Sequence, residues 1–221
     1  MFRSMIDTII FDGEGVVIDT ETIWDWGQEE FLRRRNLVYD REKIKPLLTG
    51  KSLIDGVQAM MDEYGFSGDP KELARERKEI VRGLFEHKVT FIDGFREFFD
   101  RVSRTCKTCI ASAMAEDLLK VVDDRLGLSK LFNGRIFTIA DVGYRSKPDP
   151  DLFLYAARRL NSEVRNCVVI EDSPLGVEAA KRAGMKCIAL TTTYDREKLP
   201  GADLVVSSFP EIDLKTCHAK G

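Results

Sequence analysis

From Val89 to Val206 the chain alternates between short apolar runs and amphipathic stretches, and this alternation constrains its fold more than any other feature. Thr108–Ala111, Arg135–Ile139, Cys167–Ile170, Lys186–Leu190 and Leu204–Val206 read as strands. Between them, Phe95–Val102, Ala115–Arg125, Pro150–Leu160 and Pro174–Ala183 carry helical periodicity, the last closed by Gly184. One further run, Thr8-Ile9-Ile10-Phe11, supplies a strand near the start. Strands alternating with helices at this spacing predict an α/β fold: a doubly wound parallel sheet with helices on both faces. Behind the first strand lies a long stretch without strand signal. It holds helical patterns at Thr22–Arg35, Asp40–Leu48, Ser52–Tyr64 and Pro70–Glu86, with Asp69 as N-cap and Pro70 at the first helical position. The expected organisation is a core of residues 1–17 and 89–221, with an α-helical cap domain, 18–88, inserted next to the ligand edge.

Open parallel sheets bind ligands at the carboxyl ends of their strands, and four strand ends here carry chemistry. After Phe11 come Asp12-Gly13-Glu14-Gly15, two carboxylates on a glycine-flanked loop. Such a pair suits a nucleophile or metal ligand followed by an acid/base, although a polar turn would look the same. After Ile110-Ala111 comes Ser112, whose hydroxyl and following N–H groups suit a phosphate oxygen or a plain helix cap. Ser146-Lys147-Pro148-Asp149-Pro150 sets a lysine between a turn and a helix start, placed to hold an anion. Glu171-Asp172-Ser173 puts two acids before a helix, where acids also serve as dipole partners. Each segment has an ordinary reading; four of them meeting at one edge do not.

Composition narrows the class. Of 221 residues 43% are hydrophobic and 32% charged, which fits a globular chain with an ample core. A net charge of −3 argues against nucleic acid or an anionic membrane as partner. No apolar run is long enough to span a bilayer, and Met1–Met5 opens no signal region, so a cytoplasmic location is expected. Five cysteines fit reduced thiols. Cys106-x-x-Cys109 runs into a strand, where positions three apart face opposite sides, so core packing is expected there rather than redox or zinc chemistry. The tail Lys215–Gly221 is expected to be loose.

The four segments, in this order and spacing, resemble the four motifs of the haloacid dehalogenase superfamily: Asp12-x-Glu14-Gly15-Val16-Val17 with Asp19-Thr20-Glu21, then Ala111-Ser112, Ser146-Lys147-Pro148-Asp149-Pro150 and Glu171-Asp172-Ser173-x-x-Gly176. The helical insertion resembles the cap of the β-phosphoglucomutase-like branch. The resemblance implies a Rossmann-like core and Mg²⁺-dependent hydrolysis of a small phosphomonoester through an aspartyl-phosphate. In it Asp12 is the nucleophile and Glu14 stands at the acid/base position. It further implies Mg²⁺ on Asp12, the Glu14 carbonyl and Asp172, with Glu171 a nearby or occasional ligand. Lys147, Ser112 and the Ala113 N–H would hold the phosphoryl oxygens. The implied partner is a small phosphorylated metabolite, and the chain is expected as a monomer or a dimer.

The chain departs from that pattern in two places. The family's acid/base is an aspartate, and here it is Glu14, whose extra methylene moves the carboxylate by roughly 1 Å and can cost on the order of a hundredfold. The residue between the two acids is usually bulky and here is Gly13, which is expected to soften the loop and let Glu14 fit. In the cap, Trp24 and Leu53 stand where the β-phosphoglucomutases carry a histidine and an arginine, which argues against mutase activity. Thr20, Trp24 and Lys51 remain candidate substrate contacts, with Trp24 and Trp26 offering an apolar wall or one of them joining the cap core. Two alternatives stay open: a phosphosugar mutase, and a catalytically impaired member that binds a phosphorylated ligand.

Overall fold

β1 (Thr8–Phe11) is buried along its whole length because it is paired on both sides, with β2 (Lys107–Ser112) and β4 (Cys167–Glu171). In this computed structural model, which describes residues 6–48 and 51–214, six parallel strands lie in the order β3-β2-β1-β4-β5-β6. The others are β3 (Ile136–Thr138), β5 (Lys186–Leu190) and β6 (Leu204–Val206). The chain steps outward from β1 through β2 to β3, then returns to the other side of β1 and steps outward again. The order therefore reverses around β1, and the crevice that opens at such a reversal lies at its carboxyl end. Phe11 is level with Ile110 on one side and Ile170 on the other, so the loops after β1 and β4 start side by side.

Alternate residues of the central strands face opposite layers. Ile10, Cys109, Val169 and Cys187 join a core with α8 (Asp151–Arg159) and α9 (Pro174–Arg182). On the other face Phe11 packs edge-on against Phe95 of α5 (Phe95–Val102) at 5.6 Å and against Phe132 at 5.9 Å. Helices cover both faces, as the alternation predicts.

Contacts divide the chain into two compact units, one holding the chain before Thr20 and after Val89, the other Thr20–Val89. The second is all helical: α1 (Thr20–Arg33), α2 (Arg41–Leu48), α3 (Leu53–Tyr64) and α4 (Pro70–Lys88), packed around Phe31, Leu32, Ile44, Val57 and Met60. Helix starts differ from expectation mainly where a polar residue caps from outside. Ser52 Oγ accepts from Asp55 N at 3.1 Å and so precedes α3. Asp69 Oδ1 caps α4 through Lys71 N at 2.9 Å, as expected. α6 runs Glu116–Leu126, and a four-residue helix, α7 (Leu128–Leu131), was not expected because one turn carries no periodicity. Cys106 lies one residue ahead of β2 rather than in it, while Cys109 is buried within; both are free thiols. The C-terminal tail from Lys215 falls outside the described residues.

Candidate active site

Asp12 leaves β1 at the centre of the sheet with its N–H donating to Ile170 O at 2.9 Å, and its side chain is buried. The loop it opens is tightly tied. Gly13 O accepts from both Val17 N (3.1 Å) and Ile18 N (2.9 Å), and Gly15 N donates to Ile18 O at 2.9 Å. Gly15 takes φ +73°, a left-handed conformation that favours glycine. A Cβ there would also stand 1.9 Å from Asp172 Oδ2 and 2.7 Å from Thr193 Oγ1. Glu14, half-buried, rides on this loop.

Gly13 does not act as the expected softener. It is buried, its carbonyl is twice bonded, and a Cβ on it would stand 2.6 Å from Ser112 Oγ. Its lack of a side chain makes room for Ser112 rather than for Glu14. Ser112 is buried at the end of β2, and its Oγ accepts from Met114 N at 3.1 Å, which leaves its own O–H free to donate. Ala113 follows, exposed.

Lys147 spans the crevice. Its ammonium donates to Asp12 Oδ1 and to Glu171 Oε1, and both ion pairs are buried. The other oxygen of Glu171 accepts from Asp172 N and Ser173 N at 2.8 Å and from Ser173 Oγ at 2.9 Å. Ser173 in turn caps α9 through Gly176 N at 3.1 Å. Both carboxylate oxygens of Glu171 are thus engaged, and a Cβ on Gly176 would fall 1.8 Å from one of them.

The charges do not balance. Asp12, Glu171 and Asp172 are buried and place ligand oxygens within 4.8 Å of one another, facing one ammonium. Burial pushes the Asp12 carboxyl up to about 7 against the pull of Lys147, with Glu171 and Glu14 adding to the rise. Burial, then the charges of Glu171 and Asp12, hold Asp172 well above the usual carboxylate range. Burial also opposes charge on Glu171, but Lys147 and the Ser173 and Asp172 N–H donors prevail and hold it below that range. Lys147 stays above the ordinary lysine value: burial works against its charge, and Asp12 and Glu171 outweigh it. A cluster of hard oxygen donors with surplus negative charge could hold a metal ion, and its chemistry suits a hard divalent cation.

Two residues of this site were not foreseen. Thr192 Oγ1 donates to Gly15 O at 2.5 Å, and the Thr193 hydroxyl bonds to Asp172. The signal was present in the sequence, since Thr191-Thr192-Thr193 follows β5 at the same sheet edge. Of the candidates in the helical unit, Trp24 and Lys51 line one cavity of about 220 Å³, and Thr20 is buried at the start of α1 without lining it. Trp24 packs edge-on against Phe85 at 6.3 Å, whereas Trp26 is exposed.

A family model for haloacid dehalogenase-like hydrolases matches residues 6–184. The fructose-1-phosphate phosphatase YqaB of Escherichia coli is 33% identical over 81% of this chain and 94% of its own length. A chloroplastic 5-amino-6-(5-phospho-D-ribitylamino)uracil phosphatase of Arabidopsis thaliana is 28% identical over 93% of this chain, which spans 56% of that longer relative. Among solved structures, a hydrolase from Deinococcus radiodurans with bound phosphate and sodium superposes with a TM-score of 0.81 at 27% identity, covering 94% of this chain and 93% of its own. On the match across most of its length, the chain belongs to the haloacid dehalogenase-like hydrolases.

Proposed function

We propose that the chain hydrolyses a small phosphomonoester with Asp12 as covalent nucleophile. One observation carries this reading: a buried carboxylate at the carboxyl end of the central strand, bridged by Lys147 to Glu171 at the end of β4. An Asp12 oxygen attacks phosphorus as the ester P–O bond breaks, and Glu14 gives its proton to the departing alkoxide. Water then attacks the aspartyl-phosphate, Glu14 takes up a proton, and inorganic phosphate leaves with Asp12 restored. Lys147, Ser112 and the Ala113 N–H hold the phosphoryl oxygens through transfer, so the protein acts mostly by position and charge.

Mg²⁺ is the cofactor of this reading. Asp12, Asp172 and the Glu14 carbonyl would hold it, and it would supply positive charge toward the phosphoryl oxygens. Glu171, with both oxygens occupied, is assigned to orienting Lys147 rather than to the metal. The raised Asp12 and Asp172 fit this assignment, because a cation would replace the protons that the empty charge balance favours.

The test is phosphate release from a panel of small phosphomonoesters with Mg²⁺, for the native chain, Asp12→Asn and Glu14→Asp. Turnover by the native chain that is abolished in Asp12→Asn is the expected result; equal turnover in Asp12→Asn would end the nucleophile assignment. Glu14 favours a second reading, that of a phospho-ligand binder with reduced chemistry. Activity confined to Glu14→Asp would establish it, whereas a fast native enzyme with no gain from the substitution would remove Glu14 as a handicap.

A further inference from the structure

The cavity inside the helical unit has unevenly matched charges. Its two carboxylates are both satisfied. Asp25 accepts from Arg41 Nε at 2.6 Å and from Tyr39 OH at 2.8 Å, and Glu21 is paired with Lys45 and, at 3.6 Å, with Arg41. Two of its cations have no carboxylate partner among the described residues. Arg77 on α4 is 5% exposed, yet among the described residues only its Nε has a hydrogen-bond partner, Gln28 Oε1 at 3.0 Å. Among the described residues no carboxylate forms an ion pair with it. Its guanidinium carbon lies 5.6 Å from the Trp24 ring centroid, so an aromatic face covers one side. Lys51, at the cavity rim, makes no side-chain hydrogen bond or ion pair among the described residues.

Taking a guanidinium out of water without a counter-anion is costly, and burial drags Arg77 down to about 10. A purely structural cation would be expected to carry a carboxylate partner, as the neighbouring Arg41 and Lys45 do. The terminal nitrogens of Arg77 are the fork that accepts the two oxygens of a carboxylate or phosphate. Lys51 adds a second positive charge to the same cavity. Around them, Asp25 and Glu21 still offer lone pairs to hydroxyl donors.

We propose that this cavity is a binding site for a small hydroxylated organic anion, with its oxyanion on Arg77 and Lys51 and its hydroxyls facing Asp25 and Glu21. The site stands on the helical unit's own residues. The kinetic arm of the test, which asks whether the anion is carried by a phosphorylated substrate or is a separate effector, rests on the phosphatase reading.

D-gluconate is the probe, since it carries a carboxylate and hydroxyls but no phosphate to compete at Asp12. Binding is followed by calorimetry and by tryptophan fluorescence, to which Trp24 and Trp26 both contribute, in the native chain, Asp12→Asn, Arg77→Met, Arg77→Lys and Lys51→Met. Saturable binding is expected in the native chain and Asp12→Asn, weakened about tenfold or more in Arg77→Met and Lys51→Met and partly kept in Arg77→Lys. Lys51 is exposed, so Lys51→Met keeps the test valid if Arg77→Met fails to fold. In parallel, kcat/KM is compared for 6-phosphogluconate and sorbitol 6-phosphate, which differ by one carboxylate. A preference for the former that shrinks in the Arg77 and Lys51 variants places the anion on the substrate. Gluconate binding without such a preference makes it an effector site, and the proposal holds in both cases. Gluconate binding with no phosphate release from these esters or from any phosphomonoester of the panel upholds the site and overturns the phosphatase reading instead. No gluconate binding at millimolar concentration together with equal kcat/KM values overturns the proposal, as does binding that the variants leave unchanged.

Discussion

Gly13 and Ser112 pack as a pair: a Cβ at position 13 would stand 2.6 Å from Ser112 Oγ and 2.8 Å from its Cβ. The residue next to Asp12 is therefore chosen by a side chain on the neighbouring strand. Gly13→Leu, which restores the bulk usual in the family pattern, should displace Ser112. Overpacking of this kind costs about 1–3 kcal/mol. Urea denaturation should report that loss, and phosphate release should fall with it; unchanged stability and activity would show that Ser112 moves aside freely.

Lys147 is the cation that two buried carboxylates, Asp12 and Glu171, share. Removing one partner of a buried ion pair typically costs about 3–5 kcal/mol, because the remaining charge stays buried. Lys147→Met should lower stability on that scale and abolish phosphate release. Added Mg²⁺ should recover part of the stability and none of the turnover, as thermal melts with and without the metal would show.

The raised Asp12 gives the metal-free protein an unusual pH dependence. An unfolded Asp12 titrates near 3.8 and the folded one near 7, so between these values the folded state binds more protons. Stability therefore falls as pH rises through that window. Asp172, shifted in the same direction, adds to the slope. Denaturation midpoints of the metal-free protein should drop from pH 4 toward pH 7. Saturating Mg²⁺ should flatten the curve, and its affinity should climb over the same interval as the protons are displaced.

Thr193 is expected to position Asp172. Its hydroxyl bonds to Asp172, and both crowd the α-carbon of Gly15. Thr193→Val keeps the shape and removes the hydrogen bond, so it should weaken Mg²⁺ binding measured by calorimetry about tenfold. Thr193→Ser should retain the affinity. Equal affinity in the Val and Ser variants would reduce Thr193 to a packing role.

The fold was legible wherever local pattern and tertiary context agree. The strands from β1 to β6 are short apolar runs because both sheet faces are covered, and Phe95–Val102, Lys186–Leu190 and Leu204–Val206 fall where the sequence places them. Ser52 shows the limit at helix starts, since a capping residue looks helical in sequence but sits outside the helix. The serine and the acid pair were legible because they close β2 and β4, whose ligand edge is fixed by topology; Lys147 lies beyond a helical turn after β3 and was legible from its place just before a helix opened by prolines. The role of Gly13 was not, because it depends on Ser112, far away in sequence. Thr192 and Thr193 were missed for a similar reason: hydroxyls after a strand read as a turn until the partner they grip is in view.

The chain leaves the core and returns to it through one doorway. Asp19 N donates to Thr90 O at 3.0 Å, Ile92 N donates to Val17 O at 3.1 Å, and Ile18 bridges antiparallel to Phe91. Two segments far apart in sequence are thereby stitched like the arms of a hairpin, with Thr20–Val89 issuing from where its turn would be. Evolution can lengthen, shorten or exchange such an excursion without shifting the register of a single core strand. A short turn joining Asp19 directly to Thr90 should leave the sheet intact. The helical unit and the α/β core can thus change at separate rates within one gene.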